Sequence, residues 1–143
     1  MQLSEHFSLS EFTRSATATK LGIDNTPNAE QIANLRRLCR EVLEPLRRHF
    51  NVSIRISSGY RCPALNGAVG GVKNSNHLTG CAADIQPPDN ATGRKWMQWI
   101  IDNCHFDECI WETADRKRYW IHVALRPDAN RQKVVSFFLK RNA

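Results

Sequence analysis

Two histidines and an aspartate stand where their side chains have few ordinary uses. His77 lies in the glycine- and asparagine-rich stretch GGVKNSNHLTG, seven residues before Asp84, which is set inside the apolar run CAADIQ. A carboxylate in a buried strand is costly unless it is paired or binds a cation. His122 is embedded in a second apolar run, YWIHVAL, where a neutral imidazole acting as a metal ligand would be satisfied. Two imidazoles and one carboxylate make a catalytic zinc set that leaves a fourth coordination position open for water. The plainer alternative is a pair of core histidines and a capped aspartate. The other three histidines carry less: His6 is near the N-terminus, His49 near the end of a basic helix and His105 beside Cys104. Each reads as an ordinary surface or core residue.

The elements that must position this trio can be read from periodicity and turn chemistry. SLSEFTRSATATKLG predicts one or two short helices, capped by Ser8 or Ser10 and stopped at Gly22. NTPNAEQIANLRRLCREVLEPLRRHF predicts one amphipathic helix: Thr26 caps, Pro27 takes the first turn, and Ile32, Leu35, Cys39, Val42, Leu43, Leu46 and Phe50 fall near a 3.6-residue period. Pro45 should bend it. VSIRIS alternates Val52, Ile54 and Ile56 with polar residues, as a half-buried strand does. PALNGAVG predicts a short helix opened by Pro63, GGVKNSNHLTG a loop, and AADIQ a brief strand ended by Pro87 and Pro88. TGRKWMQWIIDN predicts a helix with Trp96, Trp99 and Ile100 on one side, and DECIWE with YWIHVAL a hairpin about TADRKR. The tail RQKVVSFFLKRN is ambiguous between strand and helix. With neither repeat nor linker, the expectation is one α+β domain over residues 1–143, a small antiparallel sheet flanked by helices.

Composition bounds the remainder. At 143 residues, 41% hydrophobic and 24% charged, the chain is an ordinary globular one, which excludes disordered and low-complexity classes. No run reaches the ~18 apolar residues of a membrane span, so no membrane insertion is expected, and MQLSEHFSLSEF does not read as a signal peptide. Synthesis in the cytoplasm follows as an expectation. Five cysteines, an odd number, fit buried reduced thiols better than a disulfide framework. The cluster Cys104, His105, Cys109 lacks a fourth ligand at a zinc spacing. A net charge of +6, concentrated in LRRLCREVLEPLRRHF, ADRKRYW and LKRNA, favours polyanions such as nucleic acid, anionic lipid or cell-wall polymers, unless it is simply a solvated face. No nucleic-acid-binding motif accompanies it, so no obligate nucleic-acid partner is expected.

Several spaced motifs, in order, resemble one family. SNHLTGCAADI matches the S-x-H-x-x-G-x-A-x-D pattern of the M15-type zinc D-Ala-D-Ala peptidases, with Ser75, His77, Gly80, Ala82 and Asp84 in place. SGYR at Ser58–Arg61 and WIH at Trp120–His122 match their preceding segment and their W-x-H strand. LSEFTRSATATKLGIDNTP, VLEPLR and SGYRCPALNGAVGG extend the similarity to the short single-domain members of phage, prophage and bacterial genomes. The resemblance implies a hedgehog/DD-peptidase-like fold and one zinc ion per chain, held by His77, Asp84 and His122.

It also implies an activity. Zinc polarises a scissile carbonyl and acidifies water, while a carboxylate moves the proton from water to the leaving amine. Candidates for that base are Glu108, Glu112 and Asp115. Side chains alternate along a hairpin, so Glu112 shares the face of His122 if it pairs with an even-numbered residue such as Trp120, and it is the preferred base. Many family members place the base three residues before the last histidine, where this chain has Tyr119; the short members and the hedgehog domain share the longer gap. The family assigns the arginine at Arg61 to substrate binding or oxyanion stabilisation and the serine at Ser75 to substrate contact, while Trp120 reads as cleft wall. The expected substrate is a peptidoglycan stem peptide, cut as by a D-Ala-D-Ala carboxypeptidase or by an endolysin-like L-Ala-D-Glu or cross-link endopeptidase. The expected protein is a monomer acting on the bacterial cell wall, released by a holin or carried by a virion if phage-derived. The alternative is a catalytically inactive, zinc-containing binding module of the same fold.

Overall fold

In the computed structural model, which describes residues 1–136 and 138, five strands form one mixed sheet in the order β1-β2-β4-β3-β5. They are β1 (Arg55–Ser58), β2 (Ala82–Gln86), β3 (Glu108–Thr113), β4 (Tyr119–Ala124) and β5 (Lys133–Val135). The first four are antiparallel neighbours, as expected. The fifth settles the ambiguous tail as a strand: Lys133–Val135 lies parallel to β3 at the sheet edge, which makes the sheet mixed. Residues 137 and 139–143, which include the basic end LKRNA, lie outside the described residues.

Strand alternation divides the sheet into two faces with different tasks. Ile56, Ala83, Ile85, Cys109, Trp111, Ile121 and Val123 are buried in the hydrophobic core. Their in-register neighbours Asp84, Ile110, Glu112, Trp120 and His122 line a cleft on the other face. Such a sheet leaves one face free to carry polar chemistry only because helices cover the other.

The helices are α1 (Leu9–Thr13), α2 (Ala16–Leu21), α3 (Ala29–Leu38), α4 (Glu44–Phe50), α5 (Pro63–Ala68) and α6 (Asn90–Asn103), of which α1, α3, α4 and α6 contribute to the core. Ser8 forms a capping box with Glu11 at the start of α1, and Gly22 ends α2 in the left-handed conformation, φ 66°. Helix α3 starts two residues later than Thr26 suggested. Asn28 caps Gln31 reciprocally, while the Thr26 hydroxyl donates to Asp24 Oδ1 at 2.6 Å and is thereby committed. The expected bend at Pro45 takes the form of a π-helical turn over Cys39–Leu43, directly before α4. Proline has no N–H to donate and its ring crowds the carbonyl four residues back, so a widened turn ahead of it relieves both problems.

Leu35, Leu38, Leu43 and Leu46 from this long helical segment, Trp96, Met97 and Ile100 from α6, and Phe7 and Phe12 from the N-terminal segment are fully buried. Trp99 is only half-buried and stacks on His49, with ring centroids 5.1 Å apart; Met97 takes the core position instead. Val52 is 43% exposed and precedes β1, so the alternating stripe begins at Ile54. His6 is not a free surface residue: its ring nitrogen Nδ1 lies 2.8 Å from Glu44, a carboxylate buried beneath the N-terminal segment.

Candidate metal centre

Three elements deliver the trio. Asp84 sits mid-way along β2, directly across from His122 of β4 on one side and Ser58 of β1 on the other. A one-residue bulge between Ile56 and Ser58 sets that second pairing. Bulges of this kind redirect a strand end, and here the chain leaves β1 toward Gly59, Tyr60 and Arg61. His77 comes from a 3₁₀ turn, Asn76–Thr79, capped by the Ser75 hydroxyl accepting from the His77 N–H at 3.2 Å. That turn closes on Gly80 with φ +74°, where an added Cβ would lie 2.4 Å from the Gln31 carbonyl oxygen. Only glycine fits both the angle and the approach of α3.

His77 Nε2 lies 3.2 Å from Asp84 Oδ1, and His122 Nδ1 lies 3.1 Å from the same oxygen. All three side chains are buried, and one ligand atom from each lies within 4.8 Å of the others. The remaining ring nitrogens are engaged elsewhere. His77 Nδ1 is 2.6 Å from the Gly59 carbonyl oxygen, and His122 Nε2 is 3.1 Å from Glu108 Oε1. Each acceptor favours the tautomer protonated on its side, which turns the opposite lone pair toward Asp84. The donor set, its convergence and its tautomers therefore suit a divalent metal such as zinc.

Electrostatics in the metal-free protein express the same convergence. Burial alone would raise the Asp84 carboxyl, but hydrogen bonds from His122 and His77 hold it well below the usual carboxylate range. Burial opposes charging of His122, yet Asp84 and Glu108 override it and push that imidazole up to about 9.

The candidate bases separate clearly. Glu112 pairs with Trp120 in the ladder, so it shares the His122 face, and its Oε1 lies 3.9 Å from His122 Nδ1, the side turned to Asp84. Burial first, and then the Asp84 charge, raise its carboxyl above the ordinary value. Glu108 touches the far nitrogen of His122 and is held low, chiefly by that hydrogen bond. Asp115 is at the hairpin tip, accepting from the Lys117 and Arg118 N–H groups.

Arg61 reaches the centre with its guanidinium fixed on several sides. Nε donates to Ser58 Oγ at 3.2 Å, Nη1 to Asn66 Oδ1 at 3.3 Å and Nη2 to Asp84 Oδ2 at 3.5 Å. Asn66 also donates to the Val72 carbonyl at 2.9 Å, tying the loop after α5 to the arginine. A Cβ on Gly71 would lie 2.1 Å from Asn66 Oδ1, so that loop packs directly on the clamp. The cleft above these groups has a volume of about 370 Å³ and is lined by Arg61, Ser75, Glu112 and Trp120 besides the trio.

Sequence reasoning missed Asn66, Asn76 and Asp107. Asn76 Nδ2 donates to Asp107 Oδ2 and to Glu108 Oε1, both at 2.9 Å. Asp107 is wholly buried and accepts from Arg131 Nε at 3.0 Å and Nη2 at 2.8 Å. Its charged neighbour Glu108 gave it no apolar run to stand out from, unlike Asp84 in CAADIQ. All five cysteines are free thiols, and every one except Cys62 is buried.

A family model described as Peptidase M15 matches residues 5–124, which takes in every strand except β5 and the whole of the trio. The chain belongs to the peptidase M15 family. Members of this family are zinc peptidases, and His77, Asp84 and His122 are the group of this chain that could hold the ion. No curated protein matches the chain. Among the described residues, no helix is long and apolar enough to cross a membrane.

Proposed function

We propose that this chain is a single-domain zinc peptidase, residues 1–143, that hydrolyses a peptide bond in the stem peptides of bacterial peptidoglycan. The observation that carries this reading is Glu112, whose raised carboxyl stands 3.9 Å from the inward nitrogen of His122 at the floor of an open cleft. A zinc ion on His77, Asp84 and His122 would supply Lewis-acid polarisation of the scissile carbonyl and a water acidic enough to deprotonate near neutrality. Glu112 takes the proton from the attacking water and delivers it to the leaving amine, a task suited to a carboxylate with a raised pKa. Arg61, held rigid by Ser58, Asn66 and Asp84, presents a fixed positive charge toward the oxygen on which negative charge develops. Ser75 and Trp120 line the cleft and position the peptide.

The bond cut is that of a D-Ala-D-Ala carboxypeptidase or of an endolysin-like endopeptidase acting at L-Ala-D-Glu or at a cross-link, with the cell wall as the place of action. The inactive binding module is the weaker reading, because it gives no reason for a half-buried carboxylate with a raised pKa beside the trio. Incubation with purified peptidoglycan and zinc, followed by mass spectrometry, tests the proposal. Released D-Ala identifies the carboxypeptidase and new amino termini the endopeptidase, and Glu112→Ala should lower the rate by about 10²–10⁴-fold. No product from the wild-type protein with zinc would overturn the enzyme reading. Full activity in Glu112→Ala would overturn the base assignment alone.

A further inference from the structure

Beside the trio runs a second polar layer, whose Asn76 and Glu108 line one edge of the cleft. Asn76, next to His77, donates through one amide nitrogen to Asp107, just before β3, and to Glu108, its first residue. Glu108 Oε1 in turn faces His122 Nε2, and Arg131 closes the far end, with Nη2 2.8 Å from Asp107 Oδ2 and 3.5 Å from Glu108 Oε2. Glu108 and Asp84 thus address opposite nitrogens of one imidazole. With its proton on Nε2 toward Glu108, the ring cannot flip without losing a charge-assisted hydrogen bond, and its other nitrogen stays turned to Asp84.

We propose that Glu108 and Asn76 are positioning residues for the metal centre. Glu108 fixes His122 with its proton on Nε2 and its lone pair on Nδ1, and Asn76 locks Glu108 to the turn that carries His77. The inference rests on His77, Asp84 and His122 being metal ligands. It assigns Glu108 to the support of His122 rather than to proton transfer with substrate. Its physical content is that two of the ligands, which come from separate elements, share one hydrogen-bonded brace.

The test uses the full metal-free chain and zinc alone. Zinc affinity is measured by competition with a chromophoric chelator for the wild-type protein, Glu108→Ala, Glu108→Gln and Asn76→Ala, with His122→Ala as the ligand control. Loss of a residue that orients a metal-bound histidine weakens affinity by about 10–100-fold, and that is the expectation for Glu108→Ala. Glu108→Gln keeps an acceptor oxygen for Nε2–H and should recover most of that loss, which a merely structural role would not produce. Asn76→Ala should fall between the two. Thermal unfolding of each metal-free variant separates misfolding from loss of orientation. In the zinc-loaded wild-type protein, ¹⁵N-histidine NMR should show His122 protonated at Nε2, and in Glu108→Ala that proton should exchange faster with solvent. Unchanged zinc affinity in a folded Glu108→Ala, or equal losses in the alanine and glutamine variants, would overturn the inference while leaving the metal site intact. Wild-type protein that binds zinc no better than His122→Ala would overturn the metal site itself.

Discussion

Gly59→Ala tests whether the fold and the metal centre are joined through one carbonyl group. Gly59 follows the bulge of β1 and is wedged between α1 and His77. A Cβ there would lie 2.6 Å from both Cα and O of Phe12, and no positive φ complicates the comparison. Both obstacles are backbone, and the Tyr60 N–H holds the Phe12 oxygen at 2.8 Å, so neither side yields locally. Reaching an ordinary contact of 3.4 Å requires a displacement of about 0.8 Å. The Gly59 carbonyl oxygen lies only 2.6 Å from His77 Nδ1, and a shift of that size in either direction takes the pair outside hydrogen-bonding range or into overlap. Overpacking costs about 1–3 kcal/mol and a disrupted buried hydrogen bond about 1 kcal/mol more. Urea unfolding of the metal-free variant should therefore show a loss of about 2–4 kcal/mol, and a chelator competition a zinc affinity weakened by about 10-fold or more. Gly67→Ala is the matched control: Gly67 lies within α5, an added Cβ would meet nothing within 4 Å, and the variant should gain up to about 1 kcal/mol with unchanged zinc binding. Gly59→Ala that unfolds within about 0.5 kcal/mol of the wild type, or that binds zinc equally well, would refute the reasoning.

Two further outcomes follow from charges and thiols. Hydrogen bonds from Arg131 hold the buried Asp107 carboxyl down to about 2, so its stabilisation is complete above the ordinary carboxylate range and lost as pH falls from about 4 to about 2. Because Arg131 is 51% exposed, solvent screens the pair, and Asp107→Asn should lose about 1–2 kcal/mol in urea unfolding at pH 7 and much less at pH 2. Burial pushes the Cys39 and Cys104 thiols up to about 12 and about 11 and also raises Cys81 and Cys109, so an aromatic disulfide reagent at pH 8 should react first at Cys62. The other four should react only on unfolding; rapid labelling of Cys109 in the native protein would contradict its burial.

What could be read from the sequence was whatever short-range geometry decides. Glu112 and His122 were expected on one face because side chains alternate every second residue, and the pairing of Glu112 with Trp120 puts them there. Asp84 stood out because its neighbours on both sides were apolar. The start of α3 was misplaced because Thr26 and Asn28 are both credible caps, and only the reciprocal bond with Gln31 separates them. Trp99 was expected on one side of its helix with Trp96 and Ile100, and it packs half-buried against the core, since helical periodicity gives a direction but not a depth.

The residues that escaped notice share a different property. Asn66, Asn76 and Asp107 touch partners 5 to 32 residues away, and no local propensity fixes where those partners lie. An asparagine in a glycine-rich stretch such as GGVKNSNHLTG is an ordinary turn residue until the fold supplies something for its amide to donate to. Here the fold supplies two carboxylates, Asp107 and Glu108, at the entry to the strand bearing Glu112. A metal site needs its ligands within a few tenths of an ångström of one geometry, and side chains from three separate elements do not reach that precision by packing apolar surface alone. Directional hydrogen bonds supply it: the Gly59 carbonyl orients His77, Glu108 orients His122, and Asn76 ties Glu108 to the turn that carries His77. Asp84 and His122 stood out in the sequence because such groups are rare in apolar strands, and His77 through the motif it shares with Asp84, whereas the brace is built from polar residues that are common everywhere and acquire meaning only where the chain brings them together.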